Sequence, residues 1–102
     1  MRKALKAPGE VSENTVKNWI RETFKRHGVW WYANAPGPFG GAGLDFLAVH
    51  QGRFLAVEAK RPGEKPRPRQ EATLNSIRRA GGAAFVVSDK ATLEELKLWL
   101  AT

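Results

Sequence analysis

Leu44-Asp-Phe-Leu-Ala-Val-His-Gln-Gly-Arg-Phe-Leu-Ala-Val-Glu-Ala-Lys60 is the stretch that decides the fold. Two apolar runs, Phe46 to Val49 and Phe54 to Val57, flank a short polar break containing glycine, which reads as a hairpin. With Gln51-Gly52 as a two-residue loop, the commonest kind, His50 faces Arg53, Val49 faces Phe54, Leu47 faces Ala56 and Asp45 faces Glu58. Directly opposed residues share a face. Alternation then places Asp45, Leu47, Val49, Phe54, Ala56, Glu58 and Lys60 together. Two opposed carboxylates repel unless a cation lies between them, and a hard divalent ion such as Mg²⁺ takes oxygen ligands. The competing reading makes Asp45 a turn cap and Glu58 a partner of Lys60 at a strand edge. The flanking runs are apolar on both faces, which implies interior strands, and charges there are costly. That favours the metal reading.

Outward from the hairpin, Val29 to Ala33 is aromatic and β-branched and reads as a strand. Ser12 is an N-cap for a helix carrying Val16, Trp19, Ile20 and Phe24, which ends at His27-Gly28. On the other side a basic, Pro-rich loop, Pro62 to Pro68, leads to a helix starting near Arg69, bearing Leu74 and Ile77 and stopping at Gly81-Gly82. Ala83 to Val87 is a short buried strand. Thr92 and Glu95 form a capping box for a last helix with Leu93, Leu96, Trp99 and Leu100. The order is αβββαβα, a mixed α/β domain with a small sheet flanked by helices. Residues 1–11 read as a basic flexible arm and residues 12–102 as one domain.

The 102 residues carry 17 Lys+Arg against 10 Asp+Glu, a formal charge of +7, which favours a polyanionic partner, most simply nucleic acid. The absence of cysteine excludes disulfides, a Cys-ligated zinc site and a thiol nucleophile. No apolar run approaches the roughly 20 residues of a membrane span, and the N-terminus lacks the apolar core of a signal peptide. The expected location is the cytoplasm.

Two helices direct polar residues at the carboxylate pair. Glu13 extends the apolar stripe of the first helix at its N-terminal end, three and seven residues before Val16 and Ile20. Gln70 does the same on the second, four and seven residues before Leu74 and Ile77. Each has a plainer reading, Glu13 as a dipole-matched first-turn acid and Gln70 as an ordinary helix-start polar residue. Lys17, Arg21 and Lys25 lie away from the core stripe and read as a solvated face. His27 and His50 have no partner at ligand spacing. Ala35 to Gly43 is a Gly/Pro loop without the Gly-Lys-Ser/Thr of a P-loop, expected to border the substrate cleft.

Glu13, then Gly43-Leu44-Asp45, Glu58-Ala59-Lys60 and Gln70, in that order over nearly the whole chain, resemble the PD-(D/E)XK nuclease superfamily. More narrowly they resemble its VRR-NUC family, small stand-alone members of which occur in phages and bacteria. Leu44 departs from the family, where Pro commonly precedes the Asp. The resemblance implies a restriction-endonuclease-like αβββαβα core in the cytoplasm of a bacterial or phage-infected host cell. It implies that Asp45 and Glu58 bind Mg²⁺ or Mn²⁺, with the backbone carbonyl of Ala59 completing the site and Glu13 holding a metal-bound water or a second ion. Lys60 would orient the attacking water or stabilise the transition state, and Gln70 would support that geometry. Apart from the resemblance, the basic loop emerges directly from the strand that carries Glu58 and Lys60, and its charge density favours Arg61, Lys65, Arg67 and Arg69 gripping flanking phosphates over a merely solvated surface loop.

The leading expectation is a metal-dependent DNA endonuclease, selective for four-way (Holliday) junctions as a homodimer. A single small site cuts one strand, and a two-fold dimer supplies the symmetric second cut. Trp30, Trp31 and Tyr32 alternate sides of their strand, one side core and the other free for a base or a partner subunit. That strand and the last helix with Trp99 are the candidate dimer contacts. Two alternatives stand beside this: a catalytically silent DNA-binding accessory protein on a nuclease-like fold, and an endonuclease that cuts duplex or flaps without junction preference.

Overall fold

The computed structural model describes residues 11–34 and 43–102. The basic arm up to residue 10, and residues 35–42 of the Gly/Pro loop expected to border the cleft, lie outside the described residues. The elements run α1 (Glu13–His27), β1 (Trp30–Ala33), β2 (Phe46–His50), β3 (Arg53–Ala59), α2 (Pro68–Arg79), β4 (Ala83–Val87) and α3 (Lys90–Leu100). The sheet order is β1-β2-β3-β4. The first two pairings are antiparallel, and β4 joins β3 in parallel after the α2 crossover. Among the described residues no helix is long and apolar enough to cross a membrane.

The hairpin forms because its two loop residues accept left-handed backbone. Gln51 has φ 53° and Gly52 φ 77°, the pairing that matches the twist of the flanking strands. It sets His50 opposite Arg53 and Phe46 opposite Val57. The register brings Asp45, just before β2, level with Glu58.

One face of the sheet is covered by α1 and α3. Val16, Ile20 and Phe24 of α1 and Leu93, Leu96 and Leu100 of α3 pack with Phe46, Ala48, Leu55, Val57 and Val87. The other face meets α2, whose Leu74 packs with Leu44, Ala56 and Ala84, with Leu47, Ile77 and Val86 at the margin. Helices on both faces of a small sheet bury the strand interiors from both sides. The cover is not complete. Val49 and Phe54, whose strands read as interior, are each 41% exposed, because α2 packs on the β3–β4 half of its face and leaves the hairpin end open.

Two boundaries differ from the sequence reading. Val11 belongs to the core and not to an arm. It stands at the position before the Ser12 cap and buries in the same cluster as Val16, the geometry of a hydrophobic staple. The last helix starts at Lys90, capped by Asp89 and not by Thr92. The Asp89 carboxylate accepts from the Thr92 N–H at 2.8 Å, while Thr92 Oγ1 accepts from the Ser88 and Asp89 N–H groups. A carboxylate satisfies a helix N-terminus better than a threonine hydroxyl does. The Thr92 N–H and the Thr92 hydroxyl, which donates to Asp89 Oδ1 at 2.8 Å, hold the Asp89 carboxyl below its usual range.

Candidate metal and phosphate site

Asp45 and Glu58 are tied to each other's backbone. The Asp45 N–H donates to Glu58 Oε1 at 3.0 Å, and the Ala59 N–H donates to Asp45 Oδ2 at 2.8 Å. Glu58 is 2% exposed, in a strand whose neighbours Val57 and Ala59 are fully buried. Its other oxygen, Oε2, accepts from Gln70 Nε2 at 2.7 Å and lies 3.3 Å from Lys60 Nζ. Burial first, and the Asp45 charge second, push the Glu58 carboxyl up to about 7, against the opposing pull of the Asp45 N–H and of Lys60.

Gln70 has two duties. Its Oε1 accepts from the Arg67 N–H at 3.0 Å and so caps the first turn of α2, whose opening Pro68 needs no such partner. Its amide nitrogen holds Glu58. The helix start and the carboxylate are positioned by one side chain.

Glu13 does not reach the carboxylate pair. Lys17, one turn further along α1, bridges the gap: its Nζ lies 3.5 Å from Asp45 Oδ1 and 3.9 Å from Glu13 Oε2. Lys17 is therefore not simply part of a solvated face, as its position on the helix implied. It is a site residue that sequence reasoning missed. Its one sequence signal is the four-residue spacing from Glu13. Arg21 also leaves the solvated class, with its guanidinium 5.5 Å from the centre of the Phe46 ring.

A cleft of about 340 Å³ opens beside the pair, lined by Glu13, Lys60, Arg61, Glu64, Lys65 and Arg67. Arg61 is tied to Glu64 at 3.3 Å. Lys60 is 6% exposed and is the innermost cation. Arg69 is exposed on the first turn of α2, outside the cleft lining. The histidines are structural: His50 Nε2 meets the Leu100 carbonyl at 3.0 Å, and His27 Nδ1 meets the Thr23 carbonyl at 3.0 Å.

No family model matches this chain, and no curated protein matches it. The site's chemistry therefore rests on its atoms. Among the described residues no cluster of three His, Asp or Glu side chains stands at metal-holding spacing. The donors that do converge are all oxygen, from two carboxylates whose mutual repulsion a divalent cation relieves. Asp45 Oδ1, which meets Lys17 Nζ at 3.5 Å, is the most available of them. A donor set of this kind fits a hard ion that keeps several waters, such as Mg²⁺ or Mn²⁺.

The raised Glu58 value has a sign that can be tested without any metal. Between its ordinary value near 4.5 and about 7, the folded protein holds a proton that the unfolded chain releases. Stability from this group is present at low pH and is lost as pH rises through 7. In EDTA the melting temperature of the wild type is expected to rise as pH falls from 8 to about 5.5. The Asp45→Asn variant, which lacks the neighbouring charge, should show a flatter profile. Parallel profiles would show that the two carboxyls do not interact.

Proposed function

We propose that the chain is a metal-dependent endonuclease that hydrolyses phosphodiester bonds in DNA. On this reading its αβββαβα core is restriction-endonuclease-like, within the VRR-NUC family of the PD-(D/E)XK superfamily. It acts as a two-fold homodimer on four-way junctions. The observation that carries the reading is the cross-bonded pair of half-buried Asp45 and buried Glu58, with Gln70 and Lys60 on Glu58 and with Lys60 also lining a cleft that carries three further cations.

Asp45 and Glu58, with the Ala59 carbonyl, would hold Mg²⁺ or Mn²⁺. When bound, such an ion supplies Lewis acidity and makes a hydroxide-like nucleophile available near neutral pH. The chain's own groups do the rest. Lys60 offsets the negative charge that develops on the phosphoryl oxygens. Gln70 and the Asp45 N–H fix both oxygens of Glu58, so the carboxylate does not reorganise during the reaction. Lys17 steadies Asp45, and Glu13 stands at the cleft mouth to orient water. Arg61, Lys65 and Arg67 along the cleft, with Arg69 beside it, hold the flanking phosphates in register. The outer edge of β1, a terminal strand of the sheet, offers the backbone pairing through which two copies join with two-fold symmetry.

The test is incubation of the protein with a labelled four-way junction, flap, duplex and single strand, each in Mg²⁺, Mn²⁺ and EDTA, beside sedimentation at micromolar concentration. The expected result is paired, symmetric nicks in the junction, dependent on the ion, by a dimer. Binding without cleavage in either ion overturns the enzyme reading and makes the chain a silent DNA-binding protein. A monomer that cuts duplex as fast as junctions refutes the junction reading.

A further inference from the structure

Five large apolar side chains among the described residues are well exposed, and four of them share one face of the sheet. Trp30 is 64% exposed, Tyr32 58%, and Val49 and Phe54 41% each. The register sets Trp30 beside Val49 and Val49 beside Phe54, an apolar row across three strands, with Tyr32 beside Leu47 in the next row. The intervening Trp31 points the other way, into the core, its ring 5.7 Å from Phe24. Trp99, the other aromatic considered as a contact, is occupied by Phe85 and by Arg53 stacked 4.1 Å from its ring centre.

This strip is the part of its face that α2 leaves uncovered. It is also continuous with the carboxylate site, because Tyr32 pairs with Leu47, two residues from Asp45 on the same face. We propose that the exposed strip Trp30–Tyr32–Phe54 is a base-stacking platform for single-stranded nucleic acid, receiving unpaired bases of the strand that runs into the site. The inference rests on the nucleic-acid reading above and adds to it a substrate class: DNA with a splayed, unpaired segment beside the cut.

Three observations select this occupant. Trp30 and Tyr32 are two residues apart on one strand, about 6.8 Å. Two rings at that spacing leave room for one base of about 3.4 Å thickness between them. Charge agrees: β1 and β2 carry no acid, β3 none before Glu58, and the chain as a whole is +7. Cations lie beyond both ends of the strip. Lys60 and the basic loop lie past Tyr32. The end of α2, with Arg78 and Arg79, lies past Phe54, whose ring touches the Gly82 position beside Ile77. Size also argues against a second copy. Aromatic side chains present about 150–250 Å² each, so at these exposures the strip offers roughly 400 Å², half of the roughly 800 Å² per partner in a stable dimer.

The test measures binding in EDTA, where cleavage is absent, with labelled oligothymidylate of about twelve nucleotides and a base-free strand of the same length. The wild type is expected to bind the thymidylate at least about ten-fold more tightly than the base-free strand, with quenching of tryptophan fluorescence. The Trp30→Ala/Tyr32→Ala variant should bind both at the base-free level, and Trp30→Phe should retain most of the preference. Both positions are exposed, and an unchanged melting curve verifies the fold. Equal affinity of the wild type for the two strands, or a preference that survives the double substitution, overturns the platform. So does a dimer that becomes monomeric in the double variant without any base preference, which assigns the strip to a second copy. Base-dependent binding by a protein that cuts nothing in Mg²⁺ would leave the platform standing and remove the nuclease reading alone.

Discussion

On the proposed reading, Asp45→Asn and Glu58→Gln are each expected to abolish Mg²⁺-dependent cleavage, by about 10³-fold or more, while DNA binding is kept or tightens. Each substitution removes one of two negative oxygen sets that would hold the ion, and each also lowers the repulsion felt by an approaching phosphate. The two variants should differ in stability. Asn at 45 keeps a carbonyl for the Ala59 N–H and relieves the buried Glu58 of its charged neighbour, so metal-free Asp45→Asn should melt above the wild type at pH 8. Gln at 58 has one accepting oxygen where Glu58 had two, so its NH₂ must face a donor, either the Asp45 N–H or the Gln70 amide and Lys60, and it should gain less. Cleavage assays in Mg²⁺ and calorimetry in EDTA measure the two halves. A variant that cuts at near wild-type rate in Mg²⁺ removes these carboxylates from the chemistry.

Lys60→Met is expected to lower the cleavage rate by about 10²-fold or more with a much smaller change in DNA affinity. Its ammonium sits 3.3 Å from Glu58 and is nearly buried, so in the proposed nuclease it would meet the phosphate at the reacting centre, where charge grows in the transition state. Exposed Lys65 and Arg69 would meet only phosphates whose charge does not change during the reaction, and their loss should appear in binding and its salt dependence. Loss of Lys60 also removes a cation that opposes the upward shift of Glu58, so the variant's rate should recover in part at higher pH. Equal losses of rate and affinity at all pH values would make Lys60 an ordinary phosphate contact.

The hairpin was readable because its determinants are local. Gln51-Gly52 fixes the turn, the turn fixes the register, and the register alone brings Asp45 level with Glu58. Gln70 was readable for a similar reason, since its helix must start facing the strand that precedes the loop. Lys17 was not, because its contact with Asp45 depends on how α1 lies across the end of the sheet, a matter of packing between segments 28 residues apart in sequence. The openness around Val49 and Phe54 was hidden for the same cause. A run such as Phe-Leu-Ala-Val looks interior wherever it occurs, and nothing in it records that a 12-residue helix reaches only part of the sheet. At Asp89 the error was one of competition between two adequate caps, decided by charge.

Lys60 and Gln70 converge on the same atom, Glu58 Oε2. The basic loop between them is therefore a closed handle, with both attachment points on one carboxylate oxygen. Extra residues inserted between Arg61 and Arg67 would not need to move either anchor, and doubling such a loop costs only about 0.6 kcal/mol in closure entropy. The cationic loop can thus be lengthened, shortened or recharged while the carboxylate pair and its two anchors stay as they are. If the proposed nuclease reading holds, a lineage built on this arrangement can exchange its targets without reinventing its chemistry.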